Sequence, residues 1–339
     1  MRDRIVIMGA GGLSCGFFGP ELRSEYDLTF LDVKFKADFI GAIQKTGAYT
    51  VNIAGKEIVP TQVKDVEAFL IDDPAQDAAI RDRIRQARVF FTAVGIRNFE
   101  SAAGYLVERL KDRKDNVYIL CAENGEGVTE SWRNRTPENV HFLDTVMGRM
   151  CRLEEHPAPL YVPAAPGIAW GIVAEEFYGM PLSNREYDAT AFHSDAFQFV
   201  SEAEFHARDR VKLFAHNGLH CCLAVQGRLR GVQYFCDLAG TDAEAAAREL
   251  LNKEIAPALW KECGPHLDRA YLERYFAVLP GRLVSPTLRD SASRGVRGLV
   301  DKFSANERII GGLNLLLRNG VKPDRFLSFI ANALEVVRQ

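Results

Sequence analysis

Through residues 1–150, short uninterrupted apolar runs alternate with amphipathic stretches. Arg4-Ile5-Val6-Ile7-Met8 predicts a buried strand that runs into a glycine cluster, and residues 28–33 predict a second that ends near an acid. Residues 49–53 and 56–63 alternate around Ala54-Gly55 and predict a polar hairpin. Residues 88–94, 117–121 and 140–144 continue the buried series, and a strand within 169–177 is expected to close the first sheet. Amphipathic segments such as 101–110 lie between them. Strands that are apolar on both faces and alternate with helices imply an α/β fold, a doubly wound parallel sheet covered on both faces.

The pattern changes past the middle. Pro157, Pro159, Pro163 and Pro166 make 155–167 a connector, because proline removes the amide that a helix needs. From about residue 201 helical periodicity prevails, clearest in 243–259 and 323–337. The length, 339 residues, suits two domains. We expect an α/β domain over 1–190 and a mainly α-helical domain over 191–339.

Composition narrows the function. A formal net charge of −3 without a dense basic run argues against nucleic acid as a partner. The seven cysteines are irregularly spaced with no C-x-x-C, which fits free thiols in a reducing cytoplasm better than disulfides or zinc. No stretch reads as a signal peptide or membrane span, so a cytoplasmic protein, monomer or homodimer, is expected. His216 and His220 lack a third ligand at suitable spacing, so no metal is expected. Adjacent Cys221 and Cys222 read as packing, and Asp72-Asp73-Pro74 as a helix start with its cap.

The glycine cluster is the first chemical signal. Gly9-Ala10-Gly11-Gly12-Leu13 follows the first strand and opens a helix, the arrangement in which backbone and helix N-terminus receive a pyrophosphate. The third glycine of G-x-G-x-x-G is replaced by Ser14. Asp32 falls roughly twenty residues on, where a carboxylate meets the adenosine ribose and disfavours a 2′-phosphate. Thr92, Ala93 and Val94 end a strand where the cofactor passes. NAD is therefore the expected cofactor, with NADP possible because Lys34 and Lys36 stand close by.

The second signal is Lys212-Leu213-Phe214-Ala215-His216-Asn217-Gly218-Leu219-His220. On a regular helix, Lys212, Asn217 and His220 fall within about 140° of arc. A lysine beside an amide and an imidazole could take a hydroxyl proton while hydride leaves. Its reference pKa near ~10.4 would have to fall by roughly 2–3 units, which burial could supply. Without further context the plainer reading prevails: a solvated lysine, a helix interruption and a core histidine.

Context comes from several stretches in order: Gly9-Ala10-Gly11, Gly16-Phe17-Phe18-Gly19, Phe30-Leu31-Asp32-Val33 and Thr92-Ala93-Val94-Gly95. Cys121-Ala122-Glu123-Asn124 follows, then K-x4-N-x2-H, Ser285 through Asp290, and Ser304 through Ile309. Together they resemble the polyol-specific long-chain dehydrogenases over almost the whole chain. The resemblance implies a dinucleotide-binding Rossmann-type domain over 1–190 and a mainly helical substrate domain over 191–339, with Lys212 as general base, Asn217 and Asn124 as holders of the reacting oxygen, and His220 as a positioning group. It also implies Arg294 and Lys302 as substrate-binding cations, with Arg297 and Arg308 adding positive potential. In one respect the chain departs from the family: an acid usual in a D-R-[IM]-x-P segment is Gly148 here, and the proline is absent.

The expected activity is NAD(H)-linked, metal-independent interconversion of a sugar alcohol, or its phosphate, with the matching ketose. A hexuronate reductase is the near alternative, since a carboxylate could engage the same cations. A dinucleotide-binding sensor that has lost catalysis is the alternative of another class, hinted at by Gly148 and Ser14.

Overall fold

Apolar side chains on both faces of a strand need cover on both sides, and the first half of the chain supplies it. The computed structural model describes residues 2–123, 127–176, 179–183 and 189–339. The strands, in chain order, begin with β1 Arg4–Met8, β2 Asp27–Asp32, β3 Ala48–Ala54 and β4 Ile58–Lys64. They continue with β5 Glu67–Leu70, β6 Ala87–Thr92, β7 Val117–Cys121 and β8 Val140–Asp144. The last are β9 Cys151–Glu154, β10 Gly171–Glu175, β11 Met180–Ser183 and β12 Phe197–Val200. Six of them form a parallel sheet in the order β5-β2-β1-β6-β7-β8. Counted along that sheet alone the order is 3-2-1-4-5-6, which puts a switch point between β1 and β6.

Each strand divides its residues between two cores. Ile5 and Ile7 of β1 join Phe30 and Phe91 on the face covered by Phe17, Phe18 and Ile40. Val6 and Met8 face the other way, against Ile80, Phe99 and Leu106 from helices Asp77–Gln86 and Ile96–Leu110. This is the doubly wound α/β arrangement that the apolar runs imply.

Two expectations need correction. The strand within 169–177 does not close the six-stranded sheet. β10 runs parallel to β3 and antiparallel to β9 in a second sheet, β4-β3-β10-β9. Apolar periodicity reports burial and is silent about the neighbour, so sheet membership was beyond its reach. The division between the two compact units falls at Ser201/Glu202, later than residue 190. Residues after 190 stay with the first unit because β12 pairs with β11 and Phe197 packs on Phe91 and Phe192.

The second sheet supports the glycine loop. A Cβ at Gly12 would lie 3.1 Å from the Arg152 backbone of β9, and one at Gly16 would lie 3.2 Å from Cys151 and Ala174. The proline-rich connector is fastened to the same sheet by buried Asn52. Its Nδ2 donates to the carbonyls of Val162 (2.9 Å) and Ile172 (3.0 Å), and its Oδ1 accepts the Val162 amide at 2.9 Å.

The second unit is helical among the described residues. Helix Glu202–Val211 passes through a π-turn, Lys212–Asn217, into helix Gly218–Arg230. The expected helix over 243–259 is a helical path interrupted by a second π-turn, Leu251–Ile255. Helices Arg269–Leu283, Ala292–Val296, Ile310–Arg318 and Asp324–Arg338 follow, with a short 3-10 turn between the second and third of them. Among the described residues no helix is long and apolar enough to cross a membrane.

Asn52→Leu should lower stability by about 2–3 kcal/mol, because it strands buried backbone groups that lose their partners. Urea denaturation of the two proteins checks this, and a loss below about 0.5 kcal/mol would show that the connector is held otherwise.

Candidate active site

In the first unit the chemistry gathers at the carboxyl ends of β1, β2 and β6. Gly9 has φ +96, and a Cβ there would lie 2.6 Å from the Ala93 carbonyl oxygen, so only glycine passes between β1 and β6 without strain. The Gly9 amide donates to the Leu31 carbonyl at 2.7 Å, and the Ala93 amide to Met8 at 2.9 Å. Gly11 differs from its neighbours in that no heavy atom lies within 4 Å of its Cβ position. The backbone there is open to an approaching group. Leu13 is half-buried against the core, and Ala10 is fully buried. Ser14, at the third glycine position, is fully buried as well, so its hydroxyl is turned into the protein.

Asp32 ends β2 and turns back to the loop. Its Oδ2 accepts the Ala10 amide at 2.6 Å and its Oδ1 the Val33 amide at 2.8 Å. Each oxygen keeps a further lone pair for a ribose hydroxyl. Phe35, 89% exposed, presents an uncovered aromatic face just beyond it. An open glycine backbone, a strand-end carboxylate and an exposed ring fit a dinucleotide, whose pyrophosphate, ribose and base need those three things.

Thr92 is the last residue of β6, and Ala93 and Val94 form the turn after it. That turn is held by a residue that sequence reasoning left without a role. Glu123, buried, accepts the Val94 amide at 2.8 Å and the Gly95 amide at 2.7 Å. Burial pushes its carboxyl up, and the two amides oppose the shift. Asn124, the expected oxygen holder, lies outside the described residues. Gly148 is followed by Arg149, which is buried and bonds the Glu175 carbonyl and the Glu21 carboxylate. The stretch that departs from the family therefore carries a structural arginine.

In the second unit Lys212 opens the π-turn and Asn217 closes it. The Gly218 amide reaches the Leu213 carbonyl, five residues back. Bonding of that kind stacks residue 217 close to 212, where α-helical winding would leave about 140° between them. The expected arc is thus replaced by a tighter alignment. Burial pushes the Lys212 amine down from its ordinary value; Asp209 opposes this and the Arg308 charge adds to it.

His220 sits one turn further on. Its Nε2 is 2.9 Å from Asp290 Oδ2, and its ring meets Phe235 edge-on at 4.8 Å. Asp290 is wholly buried and also accepts Arg294 Nε at 2.7 Å and the Ser291 amide at 2.8 Å. Burial alone would raise its carboxyl, but the hydrogen bond to His220 and the Arg294 charge hold it well below the carboxylate range. Lys302 Nζ donates to the Gly295 carbonyl, and burial lowers its pKa. His216, buried beside these cations, is pushed well below its ordinary value by burial first and by Arg282 next. Lys212, Asn217 and His220 therefore share one helical path, and Arg294 is joined to His220 through Asp290. The strongest signal for Asp290 was its place at the end of the Ser285–Asp290 stretch, which named no partner.

The arrangement can do base chemistry. With its Nε2 proton given to Asp290, His220 offers Nδ1 as an acceptor. The pushed-down lysine supplies a neutral amine nearer to neutral pH.

Both units of the chain are similar to known proteins. The mannitol dehydrogenase Rossmann domain matches residues 3–149, and the mannitol dehydrogenase C-terminal domain matches residues 205–339. A mannitol-1-phosphate 5-dehydrogenase of Exiguobacterium sibiricum is 27% identical over 350 residues, covering 98% of this chain and 85% of that protein. One from Caldanaerobacter subterraneus is 27% identical over 336 residues, covering 96% and 84%. Among solved structures, Pseudomonas fluorescens mannitol 2-dehydrogenase with NAD and D-mannitol superimposes with a TM-score of 0.73 at 15% identity, covering 98% of this chain and 78% of that one. A D-sorbitol dehydrogenase superimposes at 0.72 and 15%, covering 100% and 81%. Matched along both of its units, the chain belongs to the mannitol dehydrogenase family.

Proposed function

We propose that the protein is an NAD(H)-linked dehydrogenase that interconverts a sugar-alcohol phosphate with the corresponding ketose phosphate, using Lys212 as general base. The observation that carries this reading is the amine of Lys212, desolvated on the same helical path as Asn217 and His220. Relatives named mannitol-1-phosphate 5-dehydrogenase support the substrate class. So do the cations Arg294, Lys302 and Arg308, gathered in one stretch of the second unit and suited to an anionic end.

The bound nicotinamide supplies the hydride acceptor. Gly9, Ala10, Gly11, Gly12 and Leu13 would receive its pyrophosphate, Asp32 its ribose, and Thr92, Ala93 and Val94 would border its path. In oxidation the neutral Lys212 amine takes the hydroxyl proton as the carbon gives up hydride, so charge on the oxygen never builds fully. The amide of Asn217, at the end of the π-turn that Lys212 opens, would donate to that oxygen, and for Asn124 the same role rests on the family resemblance alone. His220, fixed by Asp290, accepts from a neighbouring substrate hydroxyl through Nδ1. Reduction runs the same steps backwards from protonated Lys212. A keto sugar acid would meet the same cations, so a hexuronate reductase is the second reading.

The first test follows NADH absorbance with fructose 6-phosphate, fructose and fructuronate. Fructose 6-phosphate should be turned over fastest, and Lys212→Ala should lose about 10²–10⁴-fold in kcat while still binding NADH. Turnover of fructuronate alone would establish the second reading, and inactivity with all three would remove the catalytic assignment.

Acid–base behaviour gives a second test. Oxidation needs neutral Lys212, so kcat/KM for the polyol should rise with pH and level off below the ordinary lysine value of 10.5. Reduction should fall over the same interval. Arg308→Gln removes a charge that lowers Lys212, so both profiles should move to higher pH. An unmoved profile would exclude Arg308 from the lysine's environment.

Asp290→Asn should lower stability by about 2–3 kcal/mol, because charge-assisted bonds to His220 and Arg294 are lost. The stabilisation comes from a carboxyl held low, so it is present above the unfolded pKa and lost as pH falls. Denaturation of wild type and variant at neutral and acidic pH should therefore show the difference shrinking on acidification.

A further inference from the structure

The adenosine end of the site contains an acid that the glycine-loop reading does not use. β5 lies parallel to β2 with Leu70 opposite Asp32, and the Ile71 amide donates to the Asp32 carbonyl at 2.9 Å. That register brings Asp72 to the carboxyl end of β2. Both oxygens of Asp72 lie 3.0 Å from the Lys34 amide, in the turn that follows Asp32 and Val33. The sequence pattern reads Asp72-Asp73 as a helix cap, but only Asp73 serves as one. Asp73 accepts the Ala75 amide at 3.0 Å and Gln76 Nε2 at 2.8 Å.

In dinucleotide-binding domains the group after the second strand decides between NAD and NADP, because the adenosine 2′ substituent falls there. A 2′-phosphate needs cations and free amides. This chain has both kinds of donor in Lys34 and Lys36, but each is engaged by another group. The Lys34 amide is taken by Asp72, and the Lys34 charge bears on Asp73, whose carboxyl is held low by Gln76, by Ala75 and in smaller part by Lys34. The Lys36 ammonium sits 4.8 Å above the Trp170 ring. Asp72 itself is exposed, two residues past the Leu70–Asp32 pair of the sheet.

We propose that Asp72 is a specificity residue that, together with Asp32, selects NAD over NADP by occupying the Lys34 amide and setting negative charge where a 2′-phosphate would fall. The inference rests on the dinucleotide reading of the first unit. Repulsion between a carboxylate and a nearly doubly charged phosphate a few ångströms away, partly screened by water, amounts to about fivefold to tenfold in affinity.

Equilibrium titration of the whole chain with NADH and with NADPH, followed by nicotinamide fluorescence, tests it without a substrate. Wild type should bind NADH more tightly. Asp72→Asn keeps an acceptor for the Lys34 amide and removes only the charge, so it should tighten NADPH about fivefold to tenfold relative to NADH. Asp72→Ala also frees the amide and should shift the ratio at least as far, with thermal melting reporting whether each variant is folded. If folded Asp72→Asn weakens both cofactors alike, or moves neither, Asp72 only shapes the turn and the proposal fails. A wild type that prefers NADPH overturns the proposal and leaves the dinucleotide reading intact. A wild type that binds neither cofactor removes both.

Discussion

A carboxylate taken out of water must find donors for its oxygens, and this constraint shapes both halves of the chemistry. Asp32 spends its oxygens on the Ala10 and Val33 amides, which ties the end of β2 to the glycine loop. Glu123 spends its own on the Val94 and Gly95 amides, which fixes the turn after β6. Asp290 gathers His220, Arg294 and the Ser291 amide around one buried group. In each case a turn that would otherwise be a loose connection is held by a bond roughly twice as strong as a neutral hydrogen bond. Glycine supplies the complementary part, since Gly9 lets two backbones approach where any side chain would clash.

The charges in the second unit work together in a similar way. Arg308 bears on both Lys212 and Lys302, Arg294 adds its charge at Lys302, and burial works in the same direction. The inexpensive way out for a lysine is to release its proton, since arginine cannot. Asp290 is committed to His220 and Arg294, so it does not relieve Lys212 directly. The nearest relief is Asp209, whose effect is opposed by burial and by Arg308. Proton affinity at Lys212 thus follows from burial, Asp209 and Arg308, while Asp290 stays with His220 and Arg294.

The parts of this design legible in the sequence were those that depend on local pattern. β1, β7 and β8 lie where the apolar runs end, and the glycine loop sits at the carboxyl end of β1. What escaped depends on contacts between distant segments. β10 looks like the other buried strands but pairs with β3, about 120 residues earlier in the ladder of Ile172 and Val51. Glu123 and Asp290 stood in motifs that were noticed, yet their partners are fixed only by folding. Asp72-Asp73-Pro74 reads as a helix start with its cap, and Asp73 is that cap, but the contact of Asp72 with the Lys34 amide is fixed only by folding. The π-turn at Lys212–Asn217 has no sequence signature of its own, although it changes which residues of the motif stand together.

The π-turn and the buried lysine bear on whether the chain has become a binding module without chemistry. Desolvating an ammonium destabilises the folded state, and a π-turn forgoes the better hydrogen-bond geometry of an α-helix. Glutamine or methionine at position 212 would fill comparable space without the ionic penalty, and a regular helix would join 202–211 to 218–230 more simply. Binding of a dinucleotide requires neither feature, since the glycine loop, Asp32 and Glu123 all belong to the first unit. A proton acceptor with a lowered pKa, aligned with an amide, requires both. Beside Gly148, Arg149 is committed to Glu175 and Glu21, so that segment serves the fold of the first unit.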